Sequence, residues 1–240
     1  MGPNGRGRRR SPTDSARIDA PGPDGHEEGH PGTEPAIVVR PGTQADAITA
    51  ATLHAEQISE GFLAFLGPRF LERLYRRISR TPHSFLLIAH RQDVPIGFIA
   101  GSTNVSGLYK SFLWHDGVGA TLGAAGRLAR GWRRVLETLR HGASGDDGVG
   151  RGGELLAIAV EPAWQGHGAG GLLVASFLDE LGSRACAAAH VVVGADNGGA
   201  IALYERAGFV VADRFELHRG TRSVLMQWDR HSPPPHIAST

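Results

Sequence analysis

Glu154-Leu155-Leu156-Ala157-Ile158-Ala159-Val160, then Glu161-Pro162-Ala163-Trp164, then Gln165-Gly166-His167-Gly168-Ala169-Gly170-Gly171: the reading of this chain turns on this stretch. The first block has one carboxylate and then only apolar residues, the pattern of a buried strand. The second is a short connection kinked by proline. The third is a glycine loop, followed at once by an apolar helix from Leu172 to Leu181. A strand that feeds a glycine loop at a helix start presents bare backbone N–H groups and the positive end of the helix dipole, about half a unit charge. That combination holds phosphate.

The 240 residues are enough for one sizeable domain with tails, and 41% apolar residues supply a core. A formal charge of +1 gives no whole-chain attraction to nucleic acid or to a membrane surface, so no nucleic-acid partner is expected. Cys186 is the only cysteine, which rules out an intramolecular disulfide and suits a reducing, cytoplasmic location. Arg6, Arg8, Arg9 and Arg10 are not followed by an apolar segment, so the basic start is not a secretory signal. No apolar run approaches the roughly 18 residues of a membrane span. Residues 1–34 and 231–240, poor in large apolar side chains and rich in Pro, Gly and polar residues, are expected to be tails. His26 and His30 are four apart, but the Pro and Gly around them oppose a helix, so no metal site is expected there or elsewhere.

The domain is expected over residues 35–230. It begins with a strand at Ala36–Arg40 and a helix from Gln44 to Gln57, capped by Thr43, with Ala47, Ile48, Ala51 and Ala55 on one face. Phe62, Phe65 and Leu66 precede Gly67-Pro68, which opens a clearer helix whose Phe70, Leu71, Leu74, Tyr75 and Ile78 recur at helical spacing. Ser84–His90 and Pro95–Ser102 form a hairpin pattern; Gly97 and Gly101 in its second arm indicate a bulge or close packing. Residues 105–150 read as a helical insertion, with a short helix at Gly107–Leu113 and a longer one at Leu122–Arg140. Either it covers a substrate cleft or it forms a basic docking surface; the first is preferred, because the domain's own core can bury the apolar side. Beyond the glycine loop come a strand at His190–Gly194, a helix at Ala200–Ala207, and strands at Phe209–Leu217 and Ser223–Trp228.

The run Gly166-x-Gly168-x-x-Gly171 also fits the dinucleotide pattern, which would make the protein a nicotinamide-dependent oxidoreductase. Two features oppose this: Glu161–Trp164 separate strand from loop, and too little chain follows for a doubly wound sheet. No Gly-Lys-Ser/Thr follows, which excludes a triphosphate-binding loop. The better match is Gln165-x-x-Gly168-x-Gly170 followed by Asn197-x-x-Ala200-x-x-Leu203-Tyr204-x-x-x-Gly208-Phe209. With the strand before it, this resembles the GNAT superfamily of acetyl-CoA-dependent N-acetyltransferases, over roughly residues 36–229 and most strongly over 154–209. The resemblance implies a single mixed α/β domain: a mostly antiparallel twisted sheet with one splayed parallel pair and flanking helices. It further implies that acetyl-CoA is the co-substrate. The backbone of Gln165, Gly166, His167, Gly168, Ala169, Gly170 and Gly171 would hold its pyrophosphate, and backbone groups of Ile158, Ala159 and Val160 its pantetheine arm. Asn197 would bond the arm or cap the next helix.

Acyl transfer to an amine needs the amine neutral, and a primary amine with a pKa of about 10 is protonated at neutral pH. Glu154, eleven residues before Gln165, resembles the catalytic glutamate of the histone-acetylating branch; strand alternation puts it on the face of Leu156 and Ile158. Tyr204 lies where the family's general acid stands. Cys186, His190 and His218 read as structural. Val192 occupies the position where the branch acetylating ribosomal-protein N-termini often has a glutamate, which argues against that substrate class; the resemblance implies a small-molecule amine such as an amino sugar, amino acid or polyamine. A protein or peptide N-acetyltransferase and a non-catalytic acyl-CoA sensor are the alternatives, and a homodimer is left open.

Overall fold

The computed structural model describes residues 36–58, 67–108, 110–112, 152–217 and 221–231. The expectations for Phe62, Phe65, Leu66, the helix at Leu122–Arg140, His218 and both tails fall outside these residues. Seven strands form one sheet: β1 (Ile37–Pro41), β2 (Ser84–Arg91), β3 (Val94–Ser102), β4 (Gly153–Val160), β5 (Ala188–Gly194), β6 (Val210–Leu217) and β7 (Thr221–Asp229). Their order across the sheet is β1-β2-β3-β4-β5-β7-β6. Every neighbouring pair is antiparallel except β4 with β5, which are parallel. The helices are α1 (Ala47–Gln57), α2 (Pro68–Ile78), α3 (Ala169–Ser183) and α4 (Gly198–Arg206), and residues 105–108 and 110–112 are also helical.

Two cores lie on opposite faces of the sheet. Leu71, Leu74, Tyr75 and Ile78 of α2 and Ala47, Ala50, Ala51 and Leu53 of α1 pack with Leu86, Ile88, Phe98, Ala100, Ala157 and Ala159. Leu173, Val174, Phe177 and Leu181 of α3 pack with Phe85, Leu87, Ile99, Leu155, Ala189 and Val191, and Tyr204 and Phe209 join them. The alternation of β2 and β3 between two helix layers explains why both strands are almost wholly apolar.

α1 starts at Ala47, three residues later than its sequence pattern suggests. The carboxylate of Asp46 accepts the Thr43 backbone N–H (2.7 Å) and hydroxyl (2.8 Å) and pairs with Arg40 at 2.8 Å. A side chain that gathers these donors closes residues 43–46 as a turn and delays the helix. The Arg40 guanidinium, with the Thr43 donors, holds the Asp46 carboxyl far below the usual carboxylate range. The buried face of α1 also differs from expectation: Ile48 is 57% exposed, and His54 turns inward instead. Gly101 meets its expectation of close packing, since a Cβ there would lie 2.5 Å from the Phe177 ring and 2.6 Å from that of Phe85.

The central strand contains an irregularity that alternation could not foresee. Ala100 of β3 pairs with Ala157 of β4, but Gly101 pairs with Leu155, so Leu156 is bulged out of register. Leu156 packs on the α1–α2 side and Ile158 on the α3 side. Glu154 therefore shares a face with Leu156 but not with Ile158, contrary to the simple period of two.

His54 is 2% exposed, and its Nδ1 shares a 2.6 Å hydrogen bond with the Tyr75 hydroxyl. Burial pushes its pKa down to about 4. The unfolded chain thus binds this proton more readily than the native one. The native-state advantage is complete above about pH 6.5 and is lost as pH falls toward about 4, on the order of 3 kcal/mol in all. Urea unfolding of the wild type and of His54→Gln between pH 7 and pH 4 should show the wild type losing stability relative to the variant across that window; parallel curves would contradict it.

Candidate active-site cleft

β4 and β5 are hydrogen-bonded neighbours over two residue pairs only, Gly153 with Ala189 and Glu154 with His190. Beyond them the strands part, and from Leu155 onward the β4 backbone on that side meets no strand among the described residues. A cavity of about 680 Å³ occupies the opening. Ile158, Ala159 and Val160 line one wall; Asn197, Gly199, Ala200, Leu203 and Arg206 line the other, from the start and one face of α4.

The mouth is closed by the glycine loop. Pro162–Trp164 make one 3₁₀ turn, and Gln165 Nε2 donates to the Val160 carbonyl at 3.0 Å, tying the loop to the end of its strand. Gly166 and Gly168 have φ of 79° and 85°, the left-handed region that L-residues avoid, and a Cβ at either would meet nothing within 4 Å. α3 starts at Ala169, inside the glycine run rather than after it. Leu172 is the first of its N–H groups to reach an intrahelical carbonyl, that of Gly168 at 3.0 Å. The N–H groups of Gly168 through Gly171 are the orphan donors of the helix start, where its dipole is positive. Gln165, Gly166, Gly168, Gly170 and Gly171 line the cavity. An extended ligand ending in a pyrophosphate fits this shape: unpaired strand backbone along its length, a donor cradle at its end.

His167 and Ala169 are not among the residues lining the cavity, although the Ala169 N–H is one of the orphan donors of the helix start. His167 Nδ1 lies 2.9 Å from the Gln165 carbonyl oxygen with its ring edge-on to Trp164, and Ala169 is buried. Trp164 in turn carries the Arg91 guanidinium 4.4 Å above its ring. Asn197 lines the cavity and caps α4, its Oδ1 accepting the Ala200 N–H at 3.0 Å.

The catalytic candidates stand apart from each other. Glu154 lies at the closed end of the opening, 26% exposed, with its Oε2 3.4 Å from His190 Nε2. Tyr204 is 3% exposed, packed against Phe209, and is not a lining residue although its helix neighbour Leu203 is. Burial pushes the Tyr204 phenol well above its ordinary value, which keeps it protonated. Cys186 is half-buried with its Sγ 3.4 Å from the Ala188 carbonyl, a structural setting. Among the described residues no cluster of three metal-ligating side chains occurs, and no helix is long and apolar enough to cross a membrane.

Sequence reasoning missed Gln57, which reaches the cavity from the last residue of α1, and Arg206, the one charged residue lining it among those described. The helical spacing of Ala200, Leu203 and Arg206 carried the signal for Arg206; nothing local marked Gln57.

The pattern of the acetyltransferase (GNAT) family matches residues 53–209. A mycothiol acetyltransferase of Catenulispora acidiphila is 36% identical over 98 residues, which cover 40% of this chain and 29% of that one. A [ribosomal protein bS18]-alanine N-acetyltransferase of Escherichia coli is 46% identical over 55 residues, 23% of this chain and 37% of that one. The chain thus spans only about a third of the length of the curated relatives it matches. Among solved structures, the S18-alanine enzyme of Escherichia coli superposes with a TM-score of 0.54 at 15% identity, covering 85% of this chain and all of that one. The acetyltransferase yncA of Salmonella typhimurium, solved with acetyl-CoA, gives 0.52 at 17% identity over 84% and 99%. The splayed parallel pair, its glycine cradle and a family match across well over half the sequence agree, and the chain belongs to the acetyltransferase (GNAT) family.

Proposed function

We propose that the protein moves the acetyl group of acetyl-CoA directly to a primary amine of a small molecule. The observation that carries this is the opening between β4 and β5, with strand backbone along one wall and the Gly168–Gly171 donors at its mouth. In this reading the loop N–H groups bind the pyrophosphate. Backbone groups at Ile158–Val160 hold the arm and one of them donates to the thioester oxygen as negative charge develops there. Glu154 seats the base function at the closed end, and Tyr204, carried over from the resemblance as the general acid, would supply the proton that the departing thiolate takes up from beside the lining Leu203. Acetyl-CoA-bound yncA, a fold neighbour, supports the choice of co-substrate.

The small-molecule acceptor is favoured by the likeness to mycothiol acetyltransferases; Val192, a 40% exposed aliphatic residue where the branch acetylating ribosomal-protein N-termini often has a glutamate, speaks against that class of acceptor. The likeness to the bS18-alanine enzyme favours a second reading, a protein N-terminus as acceptor.

Acetyl-CoA should raise the melting temperature, and CoA release should be seen with members of a panel of amino sugars, amino acids and polyamines. Release only with alanine-ended peptides would favour the second reading. Binding without turnover on any amine would favour an acyl-CoA sensor, and protection by NAD but not acetyl-CoA would overturn the family-based choice of ligand. Tyr204→Phe should lower kcat by about 10²-fold; an unchanged kcat removes Tyr204 from the mechanism.

Arg206 has no ion pair among the described residues and faces a cavity assigned to a polyanion. Calorimetric titration should show Arg206→Ala binding acetyl-CoA about tenfold more weakly, with a flatter salt dependence. Equal affinity at low salt would place Arg206 outside the coenzyme contact.

A further inference from the structure

The pair at the closed end of the cleft has features that a merely structural pair would not need. Glu154 and His190 are the last rung of the parallel ladder, and the strands separate immediately after them. Their side chains face away from Leu155, Ala189 and Val191, which are buried under α3. They are 26% and 18% exposed, so each retains access to a small molecule or to water. Their strand neighbours are uncharged: Ser102 of β3 stands in register with Glu154, and Gln227 of β7 with His190. Ser102 is already committed, its hydroxyl accepting from Ser84 at 3.0 Å and from the Asn104 N–H at 3.1 Å, and donating to the His83 carbonyl at 3.0 Å. Among the described residues the imidazole is the one basic group within ion-pair reach of the Glu154 carboxylate.

We infer that His190 is the base that removes the proton of the acceptor amine, with Glu154 as the positioning residue that orients its ring. This deepens the acetyl-transfer reading given above and rests on it. A carboxylate beside Nε2 favours the tautomer that carries its proton there, and so presents Nδ1 as the proton acceptor. An imidazole is a better match than a carboxylate for proton transfer near neutral pH. The separation of 3.4 Å is ion-pair reach rather than a formed hydrogen bond, and such contacts in unliganded sites commonly tighten when substrate binds.

The step balances. An ammonium proton passes to His190 Nδ1, and the freed lone pair forms the C–N bond at the thioester carbonyl while the carbonyl electrons move to oxygen. When the oxygen pair returns, the C–S bond breaks. The nitrogen sheds its second proton, the thiolate takes one up, and the imidazolium later gives its proton to water. The products are the acetamide, CoA thiol and one proton.

The test uses ethylamine, 2,2-difluoroethylamine and 2,2,2-trifluoroethylamine, close in size but falling in basicity until the amine is already neutral at pH 7. His190→Gln should lower kcat/KM by about 10²-fold for ethylamine and progressively less along the series. An equal loss for all three amines overturns the base role. Neither side chain lines the cavity, so both His190→Gln and Glu154→Gln should keep the wild-type thermal shift with acetyl-CoA, which separates a lost base from a misfolded protein. The positioning role is read without turnover, from the ring nitrogen shifts of His190 by NMR in the full chain. Glu154→Gln should lose the preference for the tautomer protonated on Nε2 that the wild type shows. An unchanged tautomer pattern overturns the pairing whatever the acceptor proves to be. A wild type that binds acetyl-CoA but acetylates none of these amines and none of the wider panel overturns the transfer reading itself, and with it the base role.

Discussion

The short parallel contact between β4 and β5 is the constraint from which the rest of the structure follows. A parallel pair normally continues along its strands, because each unmade rung leaves backbone groups without partners. Here it stops after Glu154 and His190. Two things hold the strands apart. Leu156 is bulged on the β3 side, and a bulge bends its strand and increases local twist. α3 also lies beneath both strands, its Leu173, Val174, Phe177 and Leu181 packed into the same core as Leu155, Ala189 and Val191. Closing the gap would require disturbing a packed core to gain a few backbone hydrogen bonds, each worth about 1 kcal/mol net. An extended polar ligand can take the place of the missing strand, as peptides do at sheet edges.

The glycine loop depends on the same strand. Its position is set from the end of β4 by the 3₁₀ turn at Pro162–Trp164 and by the Gln165 side chain on the Val160 carbonyl. The loop can thus combine left-handed glycines, which disfavour order by themselves, with an anchored mouth. The helix dipole is aimed by α3, whose Leu173, Val174, Phe177 and Leu181 are packed into the core, so in the proposed reading the donors would not need to be reorganised for an anion.

Most of the architecture was legible because its signals are local. The apolar periods of α2, β2 and β3, the glycine cradle and the Asn197 cap each reside in a few adjacent residues, and element ends were displaced only by one to three positions. What escaped needed information from across the fold. The β4 bulge falls where β3 pairs through Gly101, which is packed against Phe177 and Phe85, and alternation carried through Leu156 misplaced Ile158 relative to Glu154. The late start of α1 depends on Arg40, which belongs to the preceding strand. Gln57 and Arg206 reach the cavity by tertiary placement alone. His190 read as an ordinary strand residue because its partner lies thirty-six positions earlier in the chain.

Two histidines show how placement, not residue type, decides chemistry. His54 is sealed between α1 and α2, hydrogen-bonded to Tyr75, and burial holds it neutral through the physiological range. It has no route for exchanging a proton with a substrate, and its role is packing with a satisfied polar atom. His190 is on a strand with a carboxylate beside it and solvent within reach. Glu154 and the Val160 carbonyl that anchors the glycine loop lie on one strand, about 20 Å apart along it at a rise of roughly 3.3 Å per residue. Helices shift and loops bend, but a central strand paired along its far edge to β3 does not stretch. In the proposed reading, β4 would therefore set the distance from the held end of the coenzyme to the place where its thioester meets the amine.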